Sequence, residues 1–136
     1  MSALLLDSGV WLAARDADDP FHEPAAVLVG PKAPERAAAL DLTLYEVGNV
    51  AGVRWRSPEE AALLIELILA ASEDRIVRVD ARLAGAAISV AAADGLTVYD
   101  AAYVACARTH GWQLISTDVG DLVRPGLAWS PVEALG

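Results

Sequence analysis

The sequence predicts an α/β fold in which a parallel sheet of about five strands is flanked by helices. Two observations carry this reading: short apolar runs that end in turn residues, and apolar helical stretches that separate them. A third is length, since 136 residues fit a single domain, expected to span 1–136, that can bury roughly 68% of its unfolded surface.

The elements follow in order. Ala3-Leu4-Leu5-Leu6 is wholly apolar and stops at Asp7, as a strand buried on both faces should. A helix from about Val10 comes next. Asp19-Pro20 offers a cap and a first-turn proline for a helix through Val29, stopped by Gly30-Pro31. Ala37 to Leu42 reads as a strand, and Thr43 with Glu46 three residues later as the capping box of a third helix. Ser57-Pro58-Glu59-Glu60 opens the clearest helix, Ala61 to Ser72. Arg75 to Val79 is a strand, Arg82 to Ala93 an Ala-rich helix, and Tyr99 to Thr109 a helix closed by His110-Gly111. Gln113 to Ser116 and Leu127 to Trp129 complete the strands.

Composition restricts the function classes. The chain is 55% hydrophobic with a mean hydropathy of +0.38, yet no run approaches the ~18 apolar residues of a membrane span. Met1 to Ala14 lacks a leading basic residue and holds Asp7 at its centre, which is not a signal-peptide pattern. Cys106 is the only cysteine, excluding an internal disulfide, and reads as a buried thiol. No membrane association and a cytoplasmic location are therefore expected. A net charge of −9 opposes nucleic-acid binding by bulk electrostatics, so any such role needs cations from elsewhere. Trp11, Phe21 and Trp55 lie on or beside helices and suggest an apolar groove for a partner segment, with burial in the core as the equal alternative for Trp11.

Asp7, Glu46, Asp100 and Asp118 each sit where an apolar segment hands over to a helix or turn. In a parallel sheet the carboxyl ends of the strands share one edge, where α/β proteins place their sites. Taken singly, Glu46 reads more readily as a capping-box acid than as a ligand, Asp100 equally well as a helix-start acid or a ligand, and Asp118 as a turn residue. The segments Leu42-Thr43-Leu44-Tyr45-Glu46-Val47 and Leu96-Thr97-Val98-Tyr99-Asp100-Ala101 match in pattern, which predicts equivalent local frames for Glu46 and Asp100.

Asp7 is different, because an acid in an apolar run costs burial energy unless it is paired, and no basic residue lies within seven positions. Carboxylates ~4 Å apart repel by roughly 4 kcal/mol at an effective dielectric near 20. Lys32 is the only lysine, so a divalent cation is the natural relief. Oxygen donors without a His or Cys cluster favour Mg²⁺ or Mn²⁺ over Zn²⁺. His22 reads as a helix-start residue and His110 as a helix-end residue, neither as a general base.

Leu5-Leu6-Asp7-Ser8, Leu44-Tyr45-Glu46-Val47-Gly48-Asn49, Thr97-Val98-Tyr99-Asp100-Ala101-Ala102-Tyr103 and Leu114-Ile115-Ser116-Thr117-Asp118 resemble the four acidic motifs of PIN-domain ribonucleases. Their order and the chain length resemble those of VapC toxins, and Tyr-Asp-Ala-x-Tyr is the most specific part. The resemblance implies a PIN-like three-layer fold with Asp7, Glu46, Asp100 and Asp118 as catalytic acids around one or two Mg²⁺ ions. Asp7, Asp100 and Asp118 would be the metal ligands and Glu46 would serve a second metal or orient water, with Ser116 and Asp121 as auxiliary residues. It also implies an RNA substrate, a cognate antitoxin, and a homodimer or a toxin–antitoxin hetero-oligomer. Metal-activated water would then cleave the phosphodiester without a protein nucleophile. Less comfortable is the acidic loop Asp16 to Asp19, which places negative charge near an RNA-binding surface.

Rival readings fare less well. A phosphoacceptor receiver domain needs a late lysine, absent after Lys32, and a haloacid-dehalogenase-like phosphatase needs a second Asp where Gly9 stands. An RNA-processing nuclease without an antitoxin shares the same site. A catalytically silent PIN-like binding module would have no need of all four acids.

Overall fold

The computed structural model describes residues 2–136. Its sheet has four parallel strands, β1 (Ala3–Leu6), β2 (Arg36–Leu40), β3 (Ile76–Val77) and β4 (Gln113–Ile115), in the order β3-β2-β1-β4. The expected fifth strand shrinks to one parallel bridge between Ile115 and Trp129. Gly126, with φ +85, turns the chain into this pairing, and Ser130-Pro131 turns it out at once into a helix, leaving no length for a ladder.

The apolar strands are explained by a helical layer on each face. Side chains of a strand alternate between faces. Leu5, Ala38 and Leu40 pack against α5 (Ala81–Asp94) and α6 (Val98–His110). Leu4, Leu6, Ala37 and Ala39 pack on the other side with α1 (Ser8–Ala13), α2 (His22–Leu28) and α4 (Pro58–Ser72). Each apolar cluster thus belongs to one face, and the sheet is the middle of three layers.

Trp11 is fully buried, its indole N–H donating to the Leu6 carbonyl at 3.3 Å, while Phe21 and Trp55 are half-buried against the same cluster. Trp11 is therefore core, while Phe21 and Trp55 keep part of their surface exposed. Cys106 is likewise buried in α6, and burial pushes its thiol up to about 11, so it stays protonated. Among the described residues no single helix is long and apolar enough to cross a membrane.

Local rules account for most helix starts. Ser57 accepts the Glu60 amide at 3.1 Å with Pro58 in the first turn. Asp80 caps α5 through Leu83, and Thr97 caps α6 through Asp100. Ser57→Ala is expected to cost about 1 kcal/mol, the usual value of a cap, read as a lower urea midpoint with unchanged slope.

Three starts differ from expectation. The first helix begins at Ser8, because Asp7 itself is its cap. The second begins at His22: Asp19 accepts the Phe21 amide at 2.8 Å and closes a turn instead of opening the helix. Asp16 does the same for Asp18 at 3.1 Å, so these loop acids are occupied by backbone amides. The third, α3 (Leu42–Val47), enters from Asp41 in helical geometry, and Asp41 uses its carboxylate to accept the Val79 amide. Thr43 is thus inside the helix and caps nothing. A π-helical segment, Gly48–Arg54, continues it, and α7 (Pro131–Ala134) carries a capping box from Ser130 and Glu133 that sequence reasoning passed over.

Candidate active site at the carboxyl edge of the sheet

All strands run the same way, so Leu6, Leu40 and Ile115 end on one edge. Asp7 extends β1 by one residue, and its N–H still donates to the Ile115 carbonyl at 3.1 Å. With φ −75 and ψ 172 it turns the chain into α1, and its Oδ1 accepts the Val10 amide at 3.2 Å. Burial pushes its carboxyl up to about 7, against hydrogen bonds from Ser116 and Val10 and with added repulsion from Glu46 and Asp100.

Ser116 follows β4 and is fully buried. Its hydroxyl bonds Asp7 and also accepts the Asp118 amide at 2.9 Å, tying the two acid-bearing turns together. Asp118 in turn accepts the Asp121 amide at 3.0 Å, opening the π-helical turn Val119–Val123. Asp100, in the first turn of α6, has its pKa raised by burial and by the charges of Asp118 and Asp121. One carboxylate oxygen from each of Asp100, Asp118 and Asp121 lies within 4.8 Å of the others.

Glu46 enters from α3. Tyr103 donates its phenolic hydroxyl to Glu46 at 2.5 Å, and the Ser8 hydroxyl bonds the same carboxylate. Burial raises the Glu46 pKa, those two hydrogen bonds lower it, and Asp100 adds repulsion. Glu46 lies near the C-terminal end of α3, whereas Asp100 is in a first turn, so their local frames are not equivalent. The Thr-x-x-acid match reflects two different structural solutions.

Asp7, Glu46, Asp100, Asp118 and Asp121 are therefore brought to one edge. The tight triad is Asp100, Asp118 and Asp121, with Asp7 and Glu46 on the side of Asp100. Among the described residues the ion pairs are Arg15 with Glu60 and Arg75 with Asp74, and neither touches this cluster. Both histidines face backbone carbonyls, His22 that of Ala13 at 2.8 Å and His110 that of Cys106 at 2.9 Å. The donor set is carboxylate oxygen, with no paired cation among the described residues, around a buried acid, which fits a hard divalent ion. A cavity of about 720 Å³ opens beside Arg36 and Ala37, at the opposite end of β2.

Sequence reasoning quoted Thr43, Tyr103, Ser8 and Gly9 but assigned none of them a role at the site. A Cβ on Gly9 would lie 2.1 Å from Thr117 Oγ1 and 3.3 Å from Asp7 Oδ1, so only glycine lets α1 approach the loop carrying Asp118. A glycine in a helix's first turn, where alanine favours helix, was the available signal. Gly9→Ala is expected to keep the fold but displace that loop, read as a shift of the Asp118 turn in a crystal structure of the variant beside a thermal melt.

The family model for the PIN domain matches residues 4–124. The chain belongs to the PIN domain family. Solved structures share the PIN fold across nearly the whole chain. VapC20 of Mycobacterium tuberculosis, described as a toxin that cleaves the sarcin-ricin loop, has 22% identity over 90% of this chain and 95% of its own, with a TM-score of 0.70. PAE2754 of Pyrobaculum aerophilum has 25% identity over 98% and 90%, with a TM-score of 0.69. A toxin–antitoxin complex from Klebsiella pneumoniae has 17% identity over 94% and 97%, with a TM-score of 0.68. No curated protein matched by sequence.

Proposed function

We propose that this PIN domain, acting as a single unit over residues 1–136, is a Mg²⁺-dependent endoribonuclease and the toxin of a VapBC-type toxin–antitoxin pair. The observation that carries the proposal is the gathering of Asp7, Glu46, Asp100, Asp118 and Asp121 at one sheet edge with no cationic partner among the described residues. Structural relatives described as an RNA-cleaving toxin and as toxin–antitoxin complexes support it.

Asp7, Asp100 and Asp118, with Asp121, would hold Mg²⁺, or Mn²⁺ in its place. Bound there, the ion supplies Lewis-acid polarisation of the phosphodiester and a lowered pKa for water. Glu46 presents a carboxylate held by Tyr103 and Ser8, suited to orienting the attacking water and taking its proton. Ser116 keeps Asp7 and the Asp118 turn in register. The engaged histidines and buried Cys106 leave water as the nucleophile. A chain of net charge −9 relies on the bound ion to invert the sign where phosphate sits. A cognate antitoxin, assembly as a homodimer or hetero-oligomer and a cytoplasmic location complete the proposal.

The test is incubation of the purified chain with tRNA, rRNA and mRNA in Mg²⁺, Mn²⁺ or EDTA, with and without the product of the adjacent gene. Metal-dependent cleavage that the partner suppresses is expected. Cleavage that persists in EDTA, or none in any metal, would overturn the proposal.

A further inference from the structure

The Tyr-Asp-Ala-x-Tyr segment holds two tyrosines with opposite fates. Tyr99 is largely exposed, whereas Tyr103 is buried at 2% exposure. Tyr103 stands three residues after Asp100 on α6, on the same helical face, and crosses the site to reach Glu46 on α3. Its hydroxyl lies 2.5 Å from Glu46 and 2.6 Å from Thr43 Oγ1.

Proton counting sets the direction of this chain. A carboxylate only accepts, so the single phenolic proton goes to Glu46. Thr43 must then donate its own proton to the Tyr103 oxygen. Thr43 is fully buried and sits in α3, three residues before Glu46, so the relay starts and ends on one helix and passes through another. Rotation of the Glu46 carboxylate would take the acceptor from the buried Tyr103 hydroxyl and leave it Thr43 alone as a partner, which is costly in a low-dielectric interior.

We infer that Tyr103, held by Thr43, is a positioning residue that fixes the Glu46 carboxylate opposite Asp100. The role rests on the catalytic reading of Glu46 but not on an RNase activity as such, because the position of Glu46 is observable without RNA.

Tyr103→Phe keeps the ring that fills the core and removes only the donor. In a metal-free crystal structure of this variant, Glu46 is expected to leave its position or adopt several rotamers while Asp7 and Asp100 stay. In RNA cleavage, kcat is expected to fall about 10- to 100-fold with KM little changed. The loss should vanish in a Glu46→Gln background, since a residue acting through Glu46 has nothing left to position. Thr43→Val, nearly isosteric, should give the same displacement in weaker form and serves if Tyr103→Phe does not fold. Glu46 unmoved in whichever variant folds, or a Tyr103→Phe loss of equal size in the Glu46→Gln background, overturns the inference. A displaced Glu46 in a chain whose parent cleaves no RNA would uphold the inference and refute the nuclease reading instead.

Discussion

Asp7→Asn is expected to lower RNA cleavage by at least about 10³-fold, roughly 4 kcal/mol of transition-state stabilisation. The same change should make the metal-free protein more stable at pH 8. The two effects share one cause. Asp7 is buried with no paired cation among the described residues, and its carboxyl stands at about 7 against an ordinary 3.8. Between those values the folded chain keeps a proton that the unfolded chain has released, so stability falls as pH rises through the window. Above pH 7 the full penalty applies, up to about 4 kcal/mol at 1.36 kcal/mol per pKa unit. Asn carries no charge to desolvate, and its side-chain oxygen can still accept the Val10 amide that Asp7 accepts now. Urea unfolding in EDTA from pH 4 to 8 should therefore slope downward steeply for the parent and less steeply for the variant, in which the raised carboxyls of Glu46 and Asp100 keep part of the slope. A variant that cleaves like the parent would refute the mechanism, and parallel slopes would show that Asp7 is not the stressed acid.

That dual behaviour explains which parts of the site were legible in the sequence. An acid ending an apolar run conflicts with burial, and the conflict is local, so Asp7 could be singled out from its neighbours alone. Asp118 emerged the same way, from an apolar strand giving way to a turn. Glu46 showed no such conflict. Thr43-x-x-Glu46 satisfies the spacing of a capping box, but Asp41 had already led the chain into helical geometry, and tertiary burial redirected both side chains toward Tyr103. A contact with a residue 57 positions away leaves no local pattern.

The fold divides along the same line. Helices marked by Ser57-Pro58, Asp80 and Thr97 depend on hydrogen bonds spanning three residues, and their starts fall within a residue or so of expectation. Strand extent depends on partners far along the chain. The apolar Leu127-Ala128 pair could not reveal that Ser130-Pro131 would start a helix after a single bridge. The five-strand expectation failed at this point, while the parallel order and the two covered faces followed from apolar pattern alone.

Divalent metal should stabilise this protein more than its size would suggest, and more at pH 8 than at pH 6. Asp100, Asp118 and Asp121 bring oxygens within 4.8 Å of one another, and Asp7 and Glu46 add their charge beside Asp100. Binding only to the folded state, Mn²⁺ at 100 times its Kd adds about 2.7 kcal/mol. For a domain of this length that is a rise in Tm of about 10 °C. Protons compete for the same oxygens, and Asp7, at about 7, must lose its proton before it can serve as a ligand. Affinity should therefore weaken as pH falls below 7, approaching a factor of ten per unit, and EDTA should erase the gain at any pH. Thermal melts against Mn²⁺ concentration at the two pH values provide the measurement, with Asp100→Asn as the control expected to lose most of the shift. Equal shifts at pH 6 and pH 8 would remove Asp7 from the ligand set. No shift at millimolar Mn²⁺ would mean that the acids at this edge hold no ion, and the crowded charge would then have to be carried at a standing cost to stability.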